Sequence, residues 1–386
     1  MNFQAEVDAR RHVSKVAALA VLGAVMTLSV FAIPSAIAAQ FNPHVIFVGD
    51  YPTAVAVNTA NGRVYVIDNV DSNITVINGA TDAQIVNITV GNNPSSIAVN
   101  PVTGRVYVAN SDDSIVSVID GSTNHIVANI SVGITPSAIA VNPNTGRVYV
   151  ANSDDNNIAV IDGSTNTVIA NVSVGNAPAA LAINNATGLI YVANSADNTV
   201  SVVDGSLNTI LANISVGVIP QAIAVNFKTG TVYVVNNGED MVSVIDGATN
   251  QVLQNVSVGT SPTGVAVDSK QNLVYVTNNV DSTLTVINGA SSTKVANVVT
   301  GNSPIGVAAN SVNGKVYVTN GDDNSLTVIV TTGTPTDTST TTTPTTTTTT
   351  GGGGIPEFPV QMGITIIATI VIVTTFIVAR RFNQSR

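Results

Sequence analysis

The chain has 386 residues, 45% hydrophobic and only 9% charged, with no cysteine, no tryptophan and a net charge of −10. Without cysteine there are no disulfide staples and no thiolate chemistry, so the core is left to aliphatic side chains. Between residues 40 and 379 there are 7 basic residues against 21 acidic ones, which excludes a nucleic-acid partner, because phosphate binding needs a basic surface.

The first element is an apolar run, Val16 to Pro34, preceded by Arg10, Arg11 and Lys15 and followed by the small residues Ala36 and Ala38. This is the layout of a signal peptide over residues 1–39, cleaved after Ala38 or Ala39, with an uncleaved N-terminal anchor as the alternative. The Arg10–Arg11 pair matches twin-arginine export weakly, since His12 and Val13 follow it.

From residue 40 to 331 the chain repeats itself. Tyr65, Tyr107, Tyr149, Tyr191, Tyr233, Tyr275 and Tyr317 are spaced by 42 residues, and Pro52, Pro94, Pro136, Pro178, Pro220, Pro262 and Pro304 keep the same interval. In the unit 90–131, "SSIAVN", "RVYVAN", "IVSVID" and "HIVANISV" read as strands, divided by "PVTG", "SDDS" and "GSTN" turns. Short β-branched runs with turn chemistry at each boundary predict four antiparallel strands per repeat. Such a sheet cannot bury both faces alone, but stacked copies can. The seventh copy stops after its third strand, "SLTVIV" (325–330), while "HVIFVG" (44–49) matches a fourth strand lying ahead of the first copy. The expected fold is therefore all-β: a seven-bladed β-propeller of four-stranded antiparallel blades, closed by an N-terminal strand completing the last blade. An open solenoid would leave both pieces as loose edges. The repeated tyrosines are expected to pack between blades.

Two polar rings recur. Asp71, Asp113, Asp155, Asp197, Glu239, Asp281 and Asp323 fall in the second turn of each copy. Short carboxylates there fix turn geometry, and paired acids such as Asp112–Asp113 are the one alternative route to a cofactor, weak calcium binding. Asn58, Asn100, Asn142, Asn184, Asn226, Asp268 and Asn310 end the first strand of each blade, where they cap the next turn or bind a polar ligand at a channel mouth. His12, His44 and His125 do not repeat, which leaves no histidine metal site or triad. No catalytic residue and no cofactor is expected. The near-uniform copies, without insertions, argue against an enzyme, since catalysis needs different residues in different roles. Asn73, Asn87, Asn129, Asn171, Asn185, Asn213 and Asn255 each open an N-x-S/T sequon, a glycan acceptor in an exported chain.

Residues 331–350 hold fifteen threonines, and "GGGG" follows at 351–354. A tract with nothing to bury is expected to act as a stalk over 332–354. Residues 360–379 carry no charge and are long enough to cross a bilayer. The basic tail 380–386 then places the cytoplasm behind the span and the repeats outside.

The recurring "YVAN", and "YVTN" at 275–278 and 317–320, resemble the YVTN family of β-propeller repeats over residues 44–330. The resemblance implies a seven-bladed propeller displayed at the surface of an archaeal or bacterial cell, as a surface-layer or surface-antigen protein. "IPEFP" (355–359) ahead of the span resembles archaeal PEF-type sorting signals, which implies processing of the anchor by an archaeosortase, although Pro359 departs from the usual glycine. The expected partners are the membrane, signal peptidase and other surface proteins or glycans. The expected role is structural or adhesive; the alternative is an extracellular ligand-binding or enzymatic propeller that uses the channel mouth. One asymmetric polar pocket breaking the sevenfold pattern would mark that alternative.

Overall fold

The computed structural model describes residues 41–331. Within them 28 strands form seven four-stranded antiparallel sheets, joined by tight turns and one three-residue 3-10 turn, Asn237–Glu239. In the second blade the inner strand is Pro94–Val99, followed outward by Arg105–Asn110, Ile115–Asp120 and His125–Ser131. Each inner strand packs on the inner strands of its two neighbours, so the sheets form a ring, as the 42-residue period predicts.

Local chemistry builds each blade. The turn from inner to second strand needs one residue at positive φ, and glycine supplies it in six copies (Gly104 has φ +73°), while Asn272 does so in the sixth blade. The two middle strands are buried on both faces, because each blade is covered on both sides by a neighbour. "VYV" accordingly reads as a continuous apolar run rather than an alternation. All seven repeat tyrosines are at most 1% exposed. Their rings fill the space between blades, and the hydroxyl crosses to the next one: Tyr149 Oη donates to Gly205 O at 3.2 Å. Burial pushes the phenols up from 10.0, so they stay protonated; Tyr191 and Tyr233 donate across the junction as Tyr149 does, while the hydroxyls of Tyr65, Tyr275 and Tyr317 are buried without a partner among the described residues.

The ring closes as the sequence predicts. The strand Phe41–Phe47 pairs antiparallel with Ser325–Thr331 over seven residues, from Phe41↔Thr331 to Phe47↔Ser325. Polar contacts fasten the seam between the seventh and first blades. Lys315 Nζ donates to Gly79 O (2.8 Å) and to Asp82 (3.0 Å), His44 Nε2 lies 2.9 Å from Asp82, and Gln84 Nε2 donates to Phe47 O at 2.8 Å. The seal differs from expectation in two respects: the strand begins at Phe41, ahead of the expected 44–49, and it is only partly buried. Phe41 is buried, but Phe47 is 75% exposed and Val45 54%, because neighbouring blades diverge at the rim. Backbone pairing, more than apolar burial, holds this strand.

The signal segment (1–39), the stalk (332–354), the PEF-like motif with its span (355–379) and the basic tail (380–386) lie outside the described residues. Among the described residues no helix is long and apolar enough to cross a membrane.

Candidate functional site

The two ends of the ring differ. At one end lie the ring prolines, the connections from each outer strand to the next inner strand, and the turns between second and third strands. At the other lie the remaining turns, together with Thr331, whose amide donates to Gly314 O at 3.0 Å.

The acidic ring sits at the proline end and ties turns to connections. Each carboxylate accepts a backbone N–H from the connection packed beside it: Asp71 from Asp50 (2.9 Å), Asp113 from Asn92 (2.7 Å), Asp155 from Ile134 (2.9 Å), Asp197 from Asn176 (2.7 Å), Asp281 from Thr260 (2.8 Å) and Asp323 from Asn302 (2.7 Å). The Asn176 amide holds the Asp197 carboxyl below the usual carboxylate range. Glu239 lies in the 3-10 turn, which is tied instead by Gly238 N donating to Val218 O at 3.0 Å. Among the described residues no three or more His, Asp or Glu side chains gather around one point that could hold a cation.

The asparagine ring sits at the opposite end and is closed to solvent. Asn58, Asn100, Asn142, Asn184, Asn226, Asp268 and Asn310 are at most 4% exposed. Each Oδ1 accepts the N–H of the residue two positions on, at 2.8–3.1 Å, which shapes the inner turn. Asn142 alone of the ring also lines a cavity of about 420 Å³ between the third and fourth blades, beside Arg147, Tyr149 and Asp204. Arg147 Nη1 donates to Gly205 O there, as Arg63 and Arg105 do to Gly121 and Gly163 at the two preceding junctions.

The central channel holds a cavity of about 400 Å³, the size of a small-molecule site. Its lining includes the residue after each ring proline, which is polar in five blades (Thr53, Ser95, Ser137, Gln221 and Thr263) and apolar in two (Ala179 and Ile305), while Ser96 and Ser153 add further hydroxyls. Sequence reasoning passed over this position, although it is among the least uniform in the repeat, and that irregularity is the signal that could have found it. Ser95, Ser137 and Thr263 spend their hydroxyls on the carbonyls of Pro136 (2.6 Å), Pro178 (2.6 Å) and Pro304 (3.0 Å). Thr53 Oγ1 is buried without a partner, and Gln221, three blades away around the shorter arc, is exposed with its amide unbonded among the described residues. No lining side chain is titratable, so the channel offers hydroxyl, amide and carbonyl groups.

A third ring was also missed, although it carries the last letter of "YVAN". Asn110, Asn152, Asn194, Asn236, Asn278 and Asn320 are fully buried at the end of the second strands, and Asp68 takes the seventh place. In most blades the amide donates to a hydroxyl on the third strand, as Asn194 Nδ2 does to Ser201 Oγ at 2.9 Å. In the first blade the polarity reverses, and Thr75 Oγ1 donates to Asp68 at 2.6 Å. Burial pushes the Asp68 carboxyl from 3.8 up to about 6, against the lowering effect of the Thr75 and Gly49 hydrogen bonds. The folded chain thus keeps a proton that the unfolded chain releases. This group's stabilisation is complete below the unfolded value and is lost as pH rises through about 6. Asp68→Asn is expected to raise stability at pH 7 by on the order of 2 kcal/mol and to remove that decline. Thermal melts at pH 4 and pH 7 check this; a variant melting no higher than the native chain at pH 7 would contradict it.

Of the sequons, Asn87, Asn129, Asn171, Asn213 and Asn255 lie exposed on outer strands, while Asn73 and Asn185 are half-buried.

No family model matches the chain, and no curated protein does either. A solved chain of hydrazine synthase from Kuenenia stuttgartiensis shares its architecture with a TM-score of 0.68, at 19% identity, over 75% of this chain and 98% of that one. This corrects the expectation that uniform blades argue against an enzyme. A propeller chain matched almost end to end belongs to a protein named as an enzyme, because blade uniformity reflects packing, while activity resides in a few residues placed on the frame. At this identity the likeness shows the fold, and the chain described here is a seven-bladed β-propeller closed by its N-terminal strand.

Proposed function

We propose that the propeller works outside the cell and binds a small, uncharged, hydroxyl-rich ligand in its channel, entered from the proline end. The observation that carries this reading is the break in sevenfold symmetry at the residue after each ring proline, with the Gln221 amide exposed and Thr53 Oγ1 buried without a partner among the described residues. A lining of hydroxyls and an amide, with no charge, suits a polyol or sugar better than an ion. Export and anchoring rest on the sequence: the signal segment, the threonine stalk, the apolar span and the resemblance to surface propellers of the YVTN type with a PEF-like tail. In this reading signal peptidase and an archaeosortase process the chain, and the membrane holds it.

The test is saturation-transfer NMR on the full chain with glucose and maltose as probes. Signal is expected for the native chain and is expected to fall several-fold in Gln221→Ala and Thr53→Val. Absence of signal from both sugars, or its persistence in both variants, overturns the channel site. A structural or adhesive role is the second reading, favoured by the similar outer turns of the first six blades; in that case the channel is only the packed hub.

A further inference from the structure

Each blade ends in an outer strand whose far edge has no neighbour, and an unpaired edge is a template for pairing with another chain. Two of the seven edges carry familiar blocks. Thr293–Val299 bears the exposed Lys294, and Phe41–Phe47 bears Pro43. The other five, Ala83–Thr89, His125–Ser131, Thr167–Ser173, Thr209–Ser215 and Gln251–Ser257, contain no proline, Lys, Arg, Asp or Glu. They expose aliphatic pairs instead, such as Val168 with Ile169 and Ile210 with Leu211.

These same five strands carry a sequon at their fifth residue: Asn87, Asn129, Asn171, Asn213 and Asn255. The two strands with another block lack it. Asn297 occupies that place in Thr293–Val299 but is followed by Val298 and Val299, and the closing strand has Val45 there. The geometry suits attachment. Where a serine stands opposite, its hydroxyl donates to the asparagine carbonyl: Ser117 to Asn129 (3.0 Å), Ser201 to Asn213 (2.8 Å) and Ser243 to Asn255 (2.8 Å). That contact holds the side chain by Oδ1 and leaves Nδ2, the atom that joins a glycan, without a protein partner among the described residues. Asn73 and Asn185 carry the same tripeptide, but their carbonyl oxygens are buried.

We propose that Asn87, Asn129, Asn171, Asn213 and Asn255 are N-glycosylated as a set, and that the five glycans block the outer edges of blades one to five as Lys294 and Pro43 block the other two. The co-reactant is a phosphate-activated glycan. The Nδ2–C1 bond forms as the bond from C1 to the donor's phosphate oxygen breaks, and the amide proton leaves with the phosphate. A bulky hydrated group on the edge keeps a second strand from approaching.

Glycopeptide mass spectrometry on the full chain, isolated from the cells that make it, is expected to find glycan at the five rim sites and none at Asn73 or Asn185. A bare rim, or equal occupancy at Asn73 and Asn185, overturns the assignment. A second measurement isolates the purpose. Thr89→Ala, Ser131→Ala, Ser173→Ala, Ser215→Ala and Ser257→Ala together delete the rim sequons while keeping every asparagine, and the hydrogen bonds of Asn129, Asn213 and Asn255. That variant is expected to aggregate, with several-fold less monomer by light scattering. Adding Gln84→Lys, Ile126→Lys, Val168→Lys, Ile210→Lys and Val252→Lys, the positions that match Lys294, is expected to restore the monomer. A glycan-free chain that stays monomeric without the lysines sinks the edge-blocking role.

Discussion

Removal of residues 41–47 from the otherwise full chain is expected to open the ring and lower Tm by about 10 °C or more. The strand spans the whole of Ser325–Thr331, so its loss strips one side of a seven-residue ladder and frees the Lys315–Asp82–His44 seam. At a net value of about 1 kcal/mol per hydrogen bond, the ladder accounts for on the order of 5 kcal/mol, a large share of the stability of an ordinary domain. The new edge, Ser325–Thr331, is rich in Val, Ile and Leu, and association of the shortened chain is the second expected symptom. Differential scanning calorimetry with size-exclusion chromatography checks both. A monomeric deletion variant melting within about 2 °C of the native chain would show that the closing strand is ornamental.

The second large effect is expected at Gly205, and it separates two reasons for a glycine. A Cβ placed on Gly205 would lie 2.7 Å from Gly188 O, 2.8 Å from Tyr149 Oη and 2.9 Å from Ile190 Cδ1. Two of these belong to the blade's own turn and strand, while the phenol comes from the blade before it. The site is where the tyrosine of one blade enters the next, so Gly205→Ala must push apart two sheets that are packed on both faces, at a cost of about 3 kcal/mol. Gly188 is the contrast. Its φ is +77°, but a Cβ there would meet nothing within 4 Å, so Gly188→Ala is expected to cost only about 1 kcal/mol of backbone strain. Urea unfolding of the two variants checks the order; equal losses would mean that inter-blade contact at Gly205 is slack.

Much of this fold was legible before any coordinates. The tyrosine interval counted the blades, the short β-branched runs and turn residues set strand limits such as Arg105–Asn110 and Ile115–Asp120, and the incomplete seventh copy required a closing strand. The polar rings were legible as rings, and less so in their roles. Asn58 and its counterparts read as candidates for a channel mouth, yet they lie under their own turns, because a side chain that accepts the N–H two residues on is folded back against the backbone. The residue after the ring proline is unremarkable in one copy. Only the comparison of seven shows Thr, Ser, Ser, Ala, Gln, Thr and Ile where the frame otherwise repeats.

The sequence by itself determined the number of sheets, from the count of copies, and the strand limits and turn geometry, because these depend on interactions within one repeat: short β-branched runs, positive φ and side chains that bond the nearby backbone. Only the tertiary structure decided which residues face the channel, that the closing strand lies exposed at the rim, and that the Asp68 carboxyl is buried. Those properties depend on the distance between blades, which narrows at the hub and widens at the edge, and no single repeat encodes that distance.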